Sequence, residues 1–280
     1  REPQMIDTMR VADVEELAKM IPDGAKIAVL KNQTGVPAEL FRAIARNRTK
    51  RLHIVGVPTT GYVTDILIGL GAADTVETSA VTLDEIGMAP RFIDAVTHGK
   101  INIKDSTCPA IYSGLRAGEK GIPFIPIRGL IGSDIMTVRD DYMIIDNPFA
   151  ENDPIVVLPA IIPDFALIHV SLVDELGNVY LGTHRDMALM AHASKQCLVT
   201  TEAIYEGNLL EDLLMAASTM SSIYVSGIAV VEKGAWPHGL QGLYPADFAH
   251  QQYYREQASS EKGFLEYVDE FVYLKSPAIA

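Results

Sequence analysis

Cysteine is scarce in this sequence: Cys108 and Cys197 are the only two among 280 residues. Two thiols make no disulfide framework, so a reducing cytoplasm is the expected compartment. Positive charge is also short, with 23 Lys and Arg against 36 Asp and Glu and a formal charge of -13. A surface of that sign repels phosphate backbones and anionic membranes. One short basic stretch, residues 46–51, does not offset it, so neither nucleic acid nor a membrane is an expected partner. Long apolar runs are missing as well. The most apolar window, residues 154–173, is broken by Pro159, Pro163, Asp164 and His169 and reads as buried strands rather than a membrane span. Residues 1–16 are polar and acidic and hold no signal-like apolar core. There is no His-Glu-x-x-His spacing, Walker loop, Gly-x-Gly-x-x-Gly turn or Gly-x-Ser-x-Gly elbow. No metal and no permanently bound cofactor is therefore expected.

What the sequence does contain is an alternation. Apolar residues make up 48% and charged residues 21%, the balance of a packed chain. Asp13 and Glu16 form a capping box ahead of Val14, Leu17, Ala18 and Ile21, and Pro22-Asp23-Gly24 ends that helix. A strand at 26–30, a helix from Pro37 to Arg46, a strand at 52–57 and a helix at 62–70 follow. The pattern continues more weakly through 76–81, 88–97, 101–103 and 110–120 to a short apolar strand at 124–127. Strand, loop and helix at this pitch predict right-handed crossovers and an open, mostly parallel α/β sheet with helices on both faces. In the second half, 155–158, 166–170, 196–200 and 223–231 read as strands and 185–194 as a helix, with a turn at Gly177-Asn178. Two amphipathic helices close the chain within 246–274, anchored by Phe248, Tyr253, Phe264, Tyr267 and Phe271. No linker divides these elements, so residues 1–280 are expected to form one domain.

Ligands of parallel sheets bind in loops at the carboxyl ends of strands, here 31–36, 58–61, 82–87 and 128–134. The first offers Asn32, Gln33, Thr34 and Gly35 where a helix starts, and Thr59, Thr60 and Gly61 repeat the arrangement one unit later. Such loops are either ordinary turns or cradles whose N–H groups face a carboxylate or a developing oxyanion. Asp84 and Glu85 serve as helix caps or as acid–base groups. Gly132 and Ser133, with Gly129, follow a strand and could let backbone approach a ligand. Cys108 precedes Pro109 at a predicted helix start and reads first as a buried structural thiol. His184 and His192 share a helix face without the carboxylate or thiol support that a metal needs.

Several stretches, taken in order, resemble the alpha subunits of family I CoA-transferases, closest to the A-type chain of glutaconate CoA-transferase. They are Gly121-Ile122-Pro123-Phe124-Ile125-Pro126, Ile145-Asp146-Asn147-Pro148-Phe149, Asp174-Glu175-Leu176-Gly177-Asn178-Val179-Tyr180, Val199-Thr200-Thr201-Glu202, and Gly234-Ala235-Trp236-Pro237-His238 with Gly242-Leu243-Tyr244. The likeness runs from about Asp13 to Leu274. It implies the fold shared by CoA-transferases and sugar-phosphate isomerases, a CoA thioester as substrate, and a beta-type partner subunit. In that family a glutamate in a Glu-Asn-Gly or Glu-Ser-Gly context attacks the thioester. This chain has neither context, so the resemblance puts the nucleophile on the partner, with Glu85 as the local rival. Ring-opening hydrolases and a decarboxylase share the architecture, as do non-catalytic effector-binding modules. Two departures stand out. Leu30-Lys31 occupies a position where many alpha subunits carry Gly-Gly, which narrows the backbone approach or brings the Lys31 ammonium into or near the site. Trp236 replaces a family histidine. Apolar loop residues Leu130, Ile131, Trp236, Leu240 and Leu243 are expected to form an exposed patch that a partner covers.

Overall fold

The computed structural model describes residues 11–31 and 34–274. The first half alternates strand and helix: β1 (Val11–Ala12), α1 (Val14–Lys19), β2 (Lys26–Leu30), α2 (Ala38–Arg46), β3 (Leu52–Val57), α3 (Tyr62–Gly69), β4 (Ala73–Thr78), α4 (Pro90–Thr97), β5 (Asn102–Asp105) and α5 (Cys108–Lys120). A smaller unit follows, with β6 (Phe124–Ile127), α6 (Ile135–Val138), β7 (Met143–Asp146) and β8 (Pro154–Pro159). The remainder comprises β9 (Phe165–Asp174), β10 (Val179–Tyr180), α7 (Arg185–Ala193), β11 (Gln196–Tyr205), β12 (Thr219–Met220), β13 (Gly227–Val230), α8 (Phe248–Ala258) and α9 (Glu261–Val268).

The main sheet runs β1-β13-β11-β9-β2-β3-β4-β5, every neighbouring pair along that path being parallel. Its strands alternate between two cores, as the pleat requires. Ile27, Val29, Leu52, Ile54, Phe165 and Leu167 face the core shared with α1, α2, α3, α8 and α9. Ala28, Leu30, Val55, Val57, Ala166 and Ile168 face the core shared with α5 and α7. A sheet covered on both faces needs nearly continuous apolar strands, which is why β9, the second half of the window 154–173, is so hydrophobic. Each fully buried Leu, Ile or Val contributes about 1.5–3 kcal/mol. No helix among the described residues is long and apolar enough to cross a membrane.

The structure departs from the sequence reading in four places. β6 does not extend the parallel sheet. It pairs antiparallel with β8, as does β7, in a separate three-stranded sheet ordered β6-β8-β7. Pro126 sits on an edge strand of that sheet, where a missing N–H is tolerated. The late strand at 223–231 is shorter, because a single helical turn at Ser222–Tyr224 precedes β13. Phe248 and Tyr253 do not anchor the C-terminal helices, since both are exposed. The buried face of α8 is instead Gln251, Tyr254 and Ala258, while Phe264 and Tyr267 on α9, and Phe271 just beyond it, pack on the core as expected. Trp236 and Leu240 are buried within the chain, leaving Ile131 and Leu243 as the exposed large members of the expected patch.

The three-stranded unit packs on α5 through Ala110, Tyr142, Val156 and Leu158. A buried ion pair adds to that seam. Arg139 Nη2 donates to Glu77 Oε1 of β4 at 3.0 Å, with both side chains at most 3% exposed. Lys26 and His53 reach the other oxygen of Glu77, each at 3.0 Å. Burial alone would raise the Glu77 carboxyl, but these donors and charges hold it far below the usual range.

Candidate functional site

The chain reverses direction across the sheet between β2 and β9. From β2 it steps to β3, β4 and β5 on one side, and from β9 to β11 and β13 on the other. Loops leaving such a pair diverge and open a crevice at the strands' carboxyl ends. Here the two strands pair only at Ile27 with Phe165 and Ala28 with Ala166, although both continue. Beyond that point they separate.

Thr34 and Gly35, just past β2, supply part of one wall of the crevice. Gly35 has φ +72°, and a Cβ there would lie 3.0 Å from the His169 carbonyl and overlap Met187 Cε. Its own carbonyl accepts from the His169 N–H at 3.1 Å. Glycine is needed because the backbone presses on β9 and α7. Thr34 Oγ1 accepts from the Gln241 N–H at 3.2 Å, and Thr183 Oγ1 donates to Gln241 Oε1 at 3.1 Å. Three loops far apart in sequence are thus tied at one rim.

A carboxylate holds the third of these loops in place. Glu202 lies near the end of β11, and Oε1 accepts from Tyr244 Oη at 2.6 Å, His169 Nε2 at 2.8 Å and the Gly234 N–H at 3.2 Å. Oε2 accepts from the Lys233 N–H at 2.8 Å. An ionised carboxylate only accepts, so His169 Nε2 carries the proton in this contact. His169 Nδ1 lies 2.8 Å from the Thr200 hydroxyl. A Cβ on Gly234 would fall 2.6 Å from His169 Cε1, so the ring rests against bare backbone. Burial pushes the Glu202 carboxyl up, yet the hydrogen bonds from His169, Tyr244 and Lys233 outweigh it and hold the group below the usual range.

Three cavities meet at Thr183 and His184. One of about 240 Å³ is bounded by His169, Ser171, Tyr180 and Gln241. A second, of about 200 Å³, is lined by Lys31, Thr34, Arg185 and Asp186. A third, of about 690 Å³, runs along α7 past Ala188, His192 and Tyr224. The Asp186 carboxylate accepts from Tyr112 Oη at 2.8 Å. Burial and the nearby Lys31 charge both lower the His184 pKa. Its Nε2 is buried and meets no hydrogen-bond partner among the described residues.

Of the candidate residues read from sequence, Thr34 lines this crevice and Gly35 braces it. Asn32 and Gln33 lie outside the described residues. Thr59, Thr60 and Gly61 follow β3, one strand over. Thr60 is buried, with Oγ1 2.5 Å from Thr64 Oγ1, its N–H on the Ala80 carbonyl and its carbonyl on the Thr82 N–H. Asp84 and Glu85 are exposed in a turn at Asp84–Ile86, beyond β4 and two strands from β2. Gly132 and Ser133 stand on the three-stranded unit, where Ser133 Oγ donates to the Leu130 carbonyl at 2.6 Å. They are not among the residues lining the three cavities. Cys108 is exposed, not buried, and its Sγ lies 3.2 Å from Ser79 Oγ. Cys197 is the buried thiol, pushed by burial up to about 12. His184 sits one residue ahead of α7, while His192 packs against the Tyr224 ring at 4.0 Å. Among the described residues no group of His, Cys, Asp or Glu could hold a metal ion.

His169, Glu202, Tyr244, Thr183 and Gln241 escaped the sequence reading as site residues. A histidine inside the apolar run 165–170 was the available signal for the first. Threonine and glutamine in loops give none.

Comparison with known proteins agrees with this architecture. A family model described as coenzyme A transferase matches residues 11–225. The A-type chain of 3-oxoadipate CoA-transferase from Pseudomonas knackmussii is 28% identical over 267 residues, covering 92% of this chain and 91% of its own. The IpdA subunit of a cholesterol ring-cleaving hydrolase from Rhodococcus jostii is 26% identical over 243 residues, covering 83% and 81%. Glutaconate coenzyme A-transferase from Acidaminococcus fermentans has a solved structure with a TM-score of 0.86 at 23% identity, covering 94% of this chain and 88% of that chain. A variant of the decarboxylase AibA/AibB gives 0.80 at 25% identity, covering 93% and 98%. The family match takes in well over half of the sequence, and the chain belongs to the coenzyme A transferase family.

Proposed function

We propose that this chain is the alpha-type subunit of a heteromeric CoA-transferase, which moves CoA between an acyl-CoA and a small or dicarboxylic acid. The acid lies in the crevice between β2 and β9, against Thr34 and Gly35. The observation that carries this reading is the chemistry of that crevice. It offers hydroxyl, amide, imidazole and cationic groups around small cavities, but its carboxylates are already engaged. Asp186 is held by Tyr112 and Glu202 by four donors. Such a site binds and orients an acid better than it attacks a thioester.

The attacking carboxylate is then assigned to a beta-type partner, in keeping with relatives whose names mark them as one chain of a multi-chain enzyme. That carboxylate oxygen attacks the thioester carbon, and the CoA thiolate leaves as an acyl anhydride forms. CoA thiolate next attacks the glutamyl carbonyl of the anhydride, freeing the first acid. The second acid reverses these steps. Donors facing the tetrahedral oxyanion contribute to the rate. The CoA thioester enters as substrate, and the reducing cytoplasm is the proposed compartment.

A test is to co-express the chain with a beta-type partner, add acyl-CoA and reduce with borohydride. A trapped glutamyl thioester becomes an alcohol that peptide mass mapping locates. Modification on the partner is expected, while modification at Glu85 would overturn the division of labour. A second reading, a thioester hydrolase or decarboxylase subunit, is favoured by the hydrolase and decarboxylase relatives and by Lys31 beside the crevice. Turnover without an acceptor acid and without a trapped intermediate would select it.

A further inference from the structure

We propose that Lys31 and Arg185, with His184, form a subsite for the second carboxylate of a dicarboxylic acid at the end of the crevice. The inference rests on the transferase reading and narrows its substrate to a class. The cavity lined by Leu30, Lys31, Thr34, Thr183, His184 and Arg185 has a volume of about 200 Å³, the scale of a carboxylate with a short carbon stem, and it too includes Asp186. It shares Thr183 and His184 with the cavity beside His169, whose Gln241 donates its N–H to Thr34, so an acid whose first carboxylate faces the reacting end can place its second one here.

Charge decides what this cavity takes. The chain carries -13 overall, yet two cations converge at this wall, and neither Lys31 nor Arg185 forms a salt bridge within the described residues. Asp186 is the opposing charge, and its carboxylate is turned to the Tyr112 hydroxyl. The balance at the wall is therefore one net positive charge, with a buried imidazole nitrogen lacking a protein partner beside it. A carboxylate supplies the neutralising charge and, with His184 in its Nε2–H tautomer, the acceptor for that nitrogen. Lys31 stands one residue beyond β2 and three past its last pair with β9. A glycine there would leave the wall without its ammonium.

The test uses the chain in complex with its co-expressed partner. Calorimetric titration compares succinate, glutarate and adipate with the monocarboxylates butanoate, pentanoate and hexanoate, and needs no turnover. At least one dicarboxylate should bind about ten- to a hundredfold more tightly than its monocarboxylate counterpart. Lys31→Met and Arg185→Gln should each remove most of that difference and leave monocarboxylate binding unchanged. Lys262→Met, which makes the same change of net charge on an exposed face of α9, should leave the preference intact. Equal affinity for both acid classes in the wild type would overturn the subsite. So would variants that weaken CoA binding instead, which would assign the cations to the CoA phosphates. If dicarboxylates bind as expected but no CoA transfer follows, the subsite stands and the transferase reading falls.

Discussion

At the scale of single residues, Glu202 and Asp65 show how burial and hydrogen bonding push two carboxylates in opposite directions. Glu202 is held down by its donors, so its ionised form stabilises the fold above its unfolded pKa of about 4.3. That contribution is lost as pH falls through the lower, folded value. Glu202→Gln should therefore cost about 1–3 kcal/mol at pH 7 and lose less further stability on acidification than the wild type, as read by urea melts between pH 7 and 3. Asp65 of α3 is fully buried. It accepts from the Phe92 N–H at 2.6 Å, the Arg91 N–H at 3.3 Å and Tyr254 Oη at 2.7 Å. Burial outweighs these donors and raises the carboxyl from 3.8 to about 6. Because the folded value is the higher one, the associated stability is present below the unfolded pKa and lost as pH rises to about 6. The Asp65 carboxyl carbon, followed by NMR, should titrate with a midpoint near 6; a midpoint near 4 would contradict the environment described. Gly35→Ala should cost about 1–3 kcal/mol, because it forces a side chain onto φ +72° against the His169 carbonyl. Gly35 was legible in the sequence as a special position. The side chain packed against it was not, since no local pattern joins residue 35 to residue 187.

At the scale of elements, the strands and helices of the first half were readable from periodicity, because each βα unit repeats the last. The three-stranded unit was not. Residues 124–127 have the composition of any buried strand, and only the antiparallel partner at 154–159 tells where they belong. α8 was misread for a related reason: it carries Tyr253 and Tyr254 side by side, and composition does not say which ring faces inward. Tertiary contact with Asp65 and Tyr62 chooses Tyr254. The motifs that carry the family likeness also gain a physical meaning here. Asp174 accepts from the Leu176, Asn178 and Leu209 N–H groups, which fixes the turn around Gly177. Thr200, Glu202, Gly234 and Tyr244 build the brace around His169. Their hydrogen bonds hold the walls in place, so they reveal the family and leave the acid unspecified. For the small sheet, Arg139→Met should destabilise its docking by about 3 kcal/mol. That is the low end for a broken buried pair, because Glu77 keeps Lys26 and His53. Hydrogen exchange should quicken in β6, β7 and β8 while β2 and β3 stay protected.

At the scale of the whole molecule, one group of exposed apolar side chains lies between β11 and β13. Leu213 and Leu214 are 97% and 92% exposed, with Leu210 and Ile223 nearby in the segment that follows β11. This segment leaves the carboxyl edge of the sheet, the same edge that opens the crevice. Under the proposed function a beta-type partner covers it. Leu213→Asp with Leu214→Asp should raise the dissociation constant of the complex about tenfold or more, by light scattering, without moving the melting temperature of the isolated chain. A complex that persists unchanged would place the partner elsewhere.

The short pairing of β2 with β9 also bears on how the chain folds. β2 and β3 meet across 27 residues, whereas β2 and β9 meet across 138. Closing the longer loop costs about 1.4 kcal/mol more in chain entropy, and at the seam itself the ladder supplies only two residue pairs. The two flanks of the sheet should therefore consolidate separately and join last, with the crevice as the final piece to form and the first to open. An acid bound across that seam would act as a kinetic staple, slowing global unfolding through a barrier that neither flank controls alone.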